Sequence, residues 1–187
     1  PVKLYIKNMV CSRCKMVVDA ALQKAGLHPL SIELGEVEIA EQPGEDELVQ
    51  LDEALQQLGF ELISSRKSRL IEKIKNTIVQ LVHHSDEGLD INLSTHIAQK
   101  LHHEYNYLST LFSEVEGITI EKYFIAQKTE KVKELLMYDE LSLSEIAFRL
   151  GYSSTAYLSN QFKKQTGLSP SFYRSMRQKT RRNIEDL

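Results

Sequence analysis

Two clusters of residues in this chain have chemistry to offer. Cys11-Ser12-Arg13-Cys14 places two thiols three residues apart. Where such a pair opens a helix, both sulfurs can face one small ion, and the helix N-terminus favours their thiolate forms. Val10 precedes them, so no carboxylate sits beside the thiols. A soft, thiolate-only pair suits Cu(I) better than harder ions and better than Zn(II). Thiol redox chemistry and two small core cysteines without a ligand are the other readings of the same motif. The second cluster is electrostatic. Between Phe148 and Asn183 stand eight basic residues (Arg149, Lys163, Lys164, Arg174, Arg177, Lys179, Arg181 and Arg182) and no acidic one. A one-signed block of this kind is the footprint of a phosphate-binding surface, although Lys179 to Arg182 alone also fits a solvated tail. The histidines offer less. His83-His84 and His102-His103 are consecutive, and neighbouring residues on a helix face different ways, so neither pair chelates alone. His28 is a lone loop histidine with no visible partner. No Ser-His-Asp set, glycine-rich phosphate loop or carboxylate dyad is discernible, and an enzyme is not expected.

The elements that must position these clusters fall into two regimes. The 187 residues carry a net charge of −3, but residues 1–65 account for −6 and the remainder for +3. The most linker-like stretch, Ser64-Ser65-Arg66-Lys67-Ser68, lies at the change. Before it, Lys3-Leu4-Tyr5-Ile6-Lys7 alternates as a half-buried strand does. Val17, Val18, Ala21, Leu22 and Ala25 then recur at helical spacing up to Gly26. Ser31 to Leu34 and Val37 to Ile39 form a hairpin about Gly35-Glu36. Leu48, Leu51, Leu55 and Leu58 stripe a second helix, and Phe60 to Ile63 makes a last strand. The order β-α-β-β-α-β is the ferredoxin-like plan, over residues 1–64. Residues 65–69 are expected as linker. The fold class is therefore α+β, with an all-helical segment at 70–187. No apolar run approaches the ~18–20 residues of a membrane-spanning helix, and the first residues lack the apolar stretch of a signal peptide, so a cytoplasmic protein without membrane contacts is expected.

The second segment repeats itself. Leu70, Ile71, Ile74, Ile78, Leu81 and Val82 stripe an amphipathic helix ending at Ser85-Asp86-Glu87-Gly88. Beyond it, Tyr107-Leu108-Ser109-x-x-Phe112 recurs as Tyr157-Leu158-Ser159-x-x-Phe162. Gly117-Ile118-Thr119 matches Gly167-Leu168-Ser169, and Tyr123 matches Tyr173 at the same offset. Ile97-Ala98-x-x-Leu101 matches Ile146-Ala147-x-x-Leu150, so one turn is a residue longer. Two copies make a duplicated module rather than a solenoid. Each copy predicts helix–turn–helix, at about 93–115 and 142–164, joined by a long helix from Thr119 to Leu136 through Phe124, Ile125, Val132, Leu135 and Leu136. Ser142 with Glu145 is a capping box, and Gly151 breaks the helix that it opens. Tyr107, Tyr157, Phe112 and Phe162 are placed in the core.

Two families share these patterns. Asn8-Met9-Val10-Cys11-Ser12-Arg13-Cys14 in its βαββαβ setting resembles the heavy-metal-associated domain of copper chaperones and metal-pumping ATPases. Asn8 replaces a usual glycine there, and Val10 a usual Thr, His or Asp. Residues 68–178 resemble the DNA-binding domain of AraC/XylS-type transcription regulators. The resemblance is strongest in Glu145-Ile146-Ala147-x-x-Leu150-Gly151-Tyr152, Phe162-Lys163-Lys164 and Gly167-Leu168-Ser169-Pro170-x-x-Tyr173-Arg174. His102 takes the place of the turn glycine in the first copy, and Glu104 puts an acid near its recognition helix. The pairing is similar to a short regulator type of Bacteroidetes that lacks the cupin-like sugar domain. This resemblance implies sequence-specific binding to double-stranded DNA, RNA polymerase as a partner, and Thr155, Ala156, Ser159 and Asn160 as base readers, with Gln161 adjacent. In the first copy the matching readers are Asn106, Ser109 and Thr110. Lys163, Lys164, Arg174 and Arg149 are the expected phosphate anchors, and Cys11 and Cys14 the metal ligands. Homo-oligomerisation stays open. The rival reading is a metallochaperone or thiol-redox protein whose C-terminal half docks on partners.

Overall fold

A computed structural model describes residues 1–85 and 92–176. The Asp86-Glu87-Gly88 helix stop and the basic residues from Arg177 onward lie outside the described residues. The chain divides into two compact units, Pro1–Ile74 with Leu101–Ile120, and Lys75–Lys100 with Glu121–Leu187.

In the first unit the elements are β1 (Val2–Lys7), α1 (Ser12–Lys24), β2 (Pro29–Glu33), β3 (Glu36–Ile39), α2 (Glu45–Gln57) and β4 (Glu61–Leu62). The sheet order is β2-β3-β1-β4, with β1 antiparallel to both of its neighbours. Val2 registers with Ile39 and Leu4 with Val37, so the alternating apolar residues share one face. Leu4, Ile6, Val37 and Ile39 meet Val18 and Leu22 of α1 and Leu51 and Leu55 of α2, all buried. At about 25 cal/mol per Å² of apolar surface removed from water, each such side chain contributes roughly 1.5–3 kcal/mol.

The strand is not half-buried as its alternation predicts. Tyr5 points to the opposite face and is also fully buried. Its hydroxyl donates to Glu72 of α3 (Ser65–His83). The second face of the sheet is therefore covered. Ser65 to Ser68, expected as linker, form the first turn of α3. Ser64 Oγ accepts the Lys67 amide at 3.4 Å, and buried Ser68 donates to Ile63 O at 3.2 Å. Serine-rich polar composition suits a helix cap as well as it suits a linker, which explains the misreading. The first unit also takes in α5 (Tyr105–Glu116).

The second unit holds α4 (Leu93–Leu101) up to Lys100, α6 (Ile120–Tyr138) from Glu121, α7 (Leu143–Arg149) and α8 (Thr155–Thr166). Its core gathers Val132, Leu136, Ile146, Ala147, Leu150, Leu158 and Phe162. The capping box is present: Ser142 Oγ accepts from Glu145 N at 3.3 Å, and Ser142 N donates to Glu145 Oε2 at 2.7 Å. That donated backbone hydrogen bond holds the Glu145 carboxyl below its ordinary range. Tyr107 and Tyr157, expected inside, are 46% and 54% exposed. Each precedes a buried leucine by one residue, and one step turns a side chain about 100° around the helix.

One buried group is unexpected. Lys128 of α6 lies in the core with its Nζ 3.8 Å from the Tyr152 ring centroid and 5.1 Å from that of Phe124. Burial pushes its ammonium down to about 8 and the Tyr152 phenol up. Lys128 protonates less readily folded than unfolded, so it costs stability below about pH 8. That cost is relieved as pH rises toward the unfolded value. We expect urea-derived stability to gain on the order of 1–3 kcal/mol between pH 8 and 10 from this residue, and Lys128→Met to remove the gain. A mutant with the wild-type slope would mean that Lys128 is solvated.

Candidate nucleic-acid interface

The second copy places its expected reading residues by three local devices. Ser154 Oγ accepts the Tyr157 amide at 3.0 Å and so starts α8. Leu158 and Phe162, four residues apart, bind one side of the helix to the core. Gly167, with φ of +79°, ends it in the left-handed region that glycine enters freely. The outward side then carries the expected readers. Ala156 and Asn160 are exposed, and Thr155, Ser159 and Gln161 are half-buried. Thr155 with Ser159, and Ala156 with Asn160, stand four apart and form two adjoining rows. Lys163 and Lys164 follow in the last turn, both exposed. The helix thus presents neutral hydrogen-bonding and methyl groups first and two cations after them.

Arg174, the other expected anchor, makes contacts within the chain. Its Nη2 donates to Leu141 O at 2.7 Å, and its Nε lies 3.1 Å from Asp139 Oδ1. It braces the segment before α7 against the chain after α8. Its side chain keeps 24% of its surface exposed beside these contacts. Arg149 is half-buried at the end of α7 and makes an interaction within the chain.

In the first copy, α5 shows Asn106 and Thr110 exposed and Ser109 half-buried, again at helical spacing. His102 adopts φ of +55°, near the +69° of Gly151 in the matching turn. The turn conformation is kept although the glycine is not. The charge differs more. The α5 residues include Glu114 and Glu116 and neither Lys nor Arg, whereas α8 has two lysines and no acid.

Cys11 is the exposed N-cap of α1 and Cys14 lies in its first turn, with the two Sγ atoms 3.3 Å apart. A backbone hydrogen bond at Val10, then the Cys11 thiol, lowers the Cys14 thiol from its ordinary value. Among the described residues no third His, Cys, Asp or Glu gathers with these two thiols as a metal site. His28, read as unpartnered, sets Nδ1 2.6 Å from Glu41 Oε1 and donates its backbone amide to Glu41 Oε2. Its partner is thirteen residues away along the chain, beyond any local pattern. His83 Nε2 lies 2.9 Å from Gln127 Oε1. Sequence reasoning missed Lys128, although it falls on the Phe124-to-Val132 stripe at steps of four.

The comparisons with known proteins bear on the second region. Residues 97–176 match the family model described as a helix-turn-helix domain. An uncharacterised HTH-type transcriptional regulator, YtdP of Bacillus subtilis, is 28% identical over 115 residues, which is 62% of this chain and 15% of that protein. The chain thus spans a small part of this relative's length. Among solved structures, a transcriptional regulator from Chromobacterium violaceum with an AraC-type DNA-binding domain superposes with a TM-score of 0.52 at 17% identity. That match covers 61% of this chain and 96% of the other. The DNA-binding domain of AdpA in complex with a target DNA superposes at 0.50 and 22% identity, over 59% and 95% of the two chains. Residues 97–176 are thus similar to helix-turn-helix domains, and the region that contains them shares its fold with these two solved structures.

Proposed function

We propose that this protein binds double-stranded DNA in a sequence-dependent way and regulates transcription, with α8 as its principal reading helix. The observation that carries this reading is the division of labour along α8, with Thr155, Ala156, Ser159 and Asn160 on one outward face and Lys163 and Lys164 beyond them. An asparagine there pairs bidentately with adenine, and the Thr155 and Ala156 methyls meet a thymine methyl. The lysines hold phosphates and set register. Asn106, Ser109 and Thr110 serve the same purpose on α5. We also read the N-terminal sheet as ferredoxin-like, supported by its element order and by the strand order β2-β3-β1-β4.

A duplex selected from a random library by the full chain tests the reading. Asn160→Ala should weaken binding to it by ~1–3 kcal/mol and relax preference at one base pair. Lys163→Ala should weaken cognate and random duplexes alike and reduce the salt slope by about one counterion. Equal losses for Asn160→Ala on both duplexes would remove Asn160 from base reading.

We propose further that Cys11 and Cys14 take one soft ion, Cu(I) in preference to Zn(II), supported by the 3.3 Å sulfur separation, the lowered Cys14 thiol and the absence of a carboxylate at Val10. Cys11 and Cys14 would hold the ion through their sulfurs, soft donors that favour Cu(I). An ion acts on DNA binding only if it binds the two DNA-affinity states unequally. Anaerobic Cu(I) titration of the reduced chain should show one equivalent bound, with a 5–150-fold change in duplex affinity. Cys11→Ser/Cys14→Ser should abolish both effects. Equal binding by wild type and double mutant rejects the site.

A further inference from the structure

The N-terminal sheet encloses the C-terminal end of α5. Lys7, the last residue of β1, holds its Nζ 3.3 Å from Glu114 Oε2 and 3.8 Å from Glu61 Oε2. The turn between β2 and β3 closes on the same end of the helix. A Cβ placed on Gly35 would stand 2.9 Å from the Val115 carbonyl oxygen, and Gly35 is buried with φ of +85°. Gly35 O also accepts the Ile6 amide at 3.0 Å, which ties this turn to β1. Leu111 and Val115 are buried beside it. Only glycine meets both demands at position 35, the left-handed backbone and the close approach.

The charge of α5 points the same way. A helix with two glutamates and no cation approaches a phosphate backbone less readily than α8, with its two lysines. Glu114 is instead paired with the sheet's own lysine.

We propose that α5 is the docking helix of the N-terminal sheet, so that the first helix–turn–helix copy transmits the state of that sheet while the second supplies the main grip on DNA. The proposal rests on the DNA-binding reading above. It also gives the cysteine loop a short route to the DNA-reading region. Asn8 to Cys11 directly follow Lys7, and Asn8 Nδ2 fastens the loop to Gly59 O at 3.2 Å. A pull on Cys11 and Cys14 reaches Glu114 through this joint, without passing through residues 64–68.

Hydrogen exchange on the full chain, read by mass spectrometry, tests the joint in Lys7→Glu, Glu114→Lys, their double reversal and Gly35→Ala. Each single reversal should speed exchange across α5 about 2–10-fold while leaving α8 unchanged, and the double reversal should restore most of it at unchanged net charge, the rest being lost to repulsion from Glu61. Footprints on the selected duplex should change over one half only in the single reversals. Wild-type exchange in both single variants, or no rescue in the double, overturns the docking. If the wild-type chain selects no sequence from the random library, the DNA-reading role fails and transmission fails with it. The exchange data then still decide whether the sheet grips α5. Gly35→Ala provides the steric counterpart, and its sheet content by circular dichroism separates release of α5 from loss of the hairpin.

Discussion

Burial of β1 on both faces organises the first unit. A strand carrying apolar residues on one side needs a single covering layer, which α1 and α2 provide over Leu4 and Ile6. Tyr5 adds a large side chain on the other side, and its hydroxyl cannot be buried without a partner. Glu72 meets it, and Lys3 reaches Glu36 and Glu72 at 2.9 and 3.6 Å. The hydrogen bond to Glu36 raises the Lys3 ammonium above its ordinary value. From this need follow the helical start of α3 at Ser65 and the association of α5 with the sheet. It also places the cysteine loop one residue from Lys7, the ion-pair partner of α5.

The two helix–turn–helix copies share a plan and differ in how they are used. Their turns keep a left-handed residue, His102 in one and Gly151 in the other. His102 bears the steric cost that glycine avoids, of order 1–2 kcal/mol. Their recognition helices keep the leucine and phenylalanine that anchor them, Leu108 with Phe112 and Leu158 with Phe162. The outer faces diverge in charge. Packing fixes the inward positions alike in both copies and leaves the outward ones free, so α8 carries two lysines where α5 carries the acid that Lys7 holds.

Lys128 shows the same tension inside the second unit. An ammonium in an apolar core is costly, and two aromatic faces offset part of that cost through their negative charge distribution. Tyr152, which receives Lys128, sits in the turn that leads into α8, with its ring 6.1 Å from that of Tyr157. Arg174 contributes from the far end by fixing Leu141 and Asp139. Each cation has a partner inside the chain. Both hold the frame in which α8 stands.

The sequence alone determined whatever repeats at short range. The helix and strand periods, the Ser142–Glu145 box, the Cys11–Cys14 spacing and the internal duplication all depend on neighbours within a few residues, or on a pattern copied whole. The placement of Asn160 and Lys163 on α8 was legible for that reason, since 100° per residue turns a sequence interval into a face. Other features required two distant segments to meet. Glu41 beside His28, Glu72 beside Tyr5 and Glu114 beside Lys7 leave no trace in local periodicity, because an ion pair or a side-chain hydrogen bond needs only proximity and sets no spacing. The motif around Arg174 is local, whereas the contacts of its guanidinium with Leu141 and Asp139 required the fold. Tyr107 and Tyr157 have core composition and lie outside, because one residue of helical phase outweighs hydrophobicity once the adjacent leucine has taken the core.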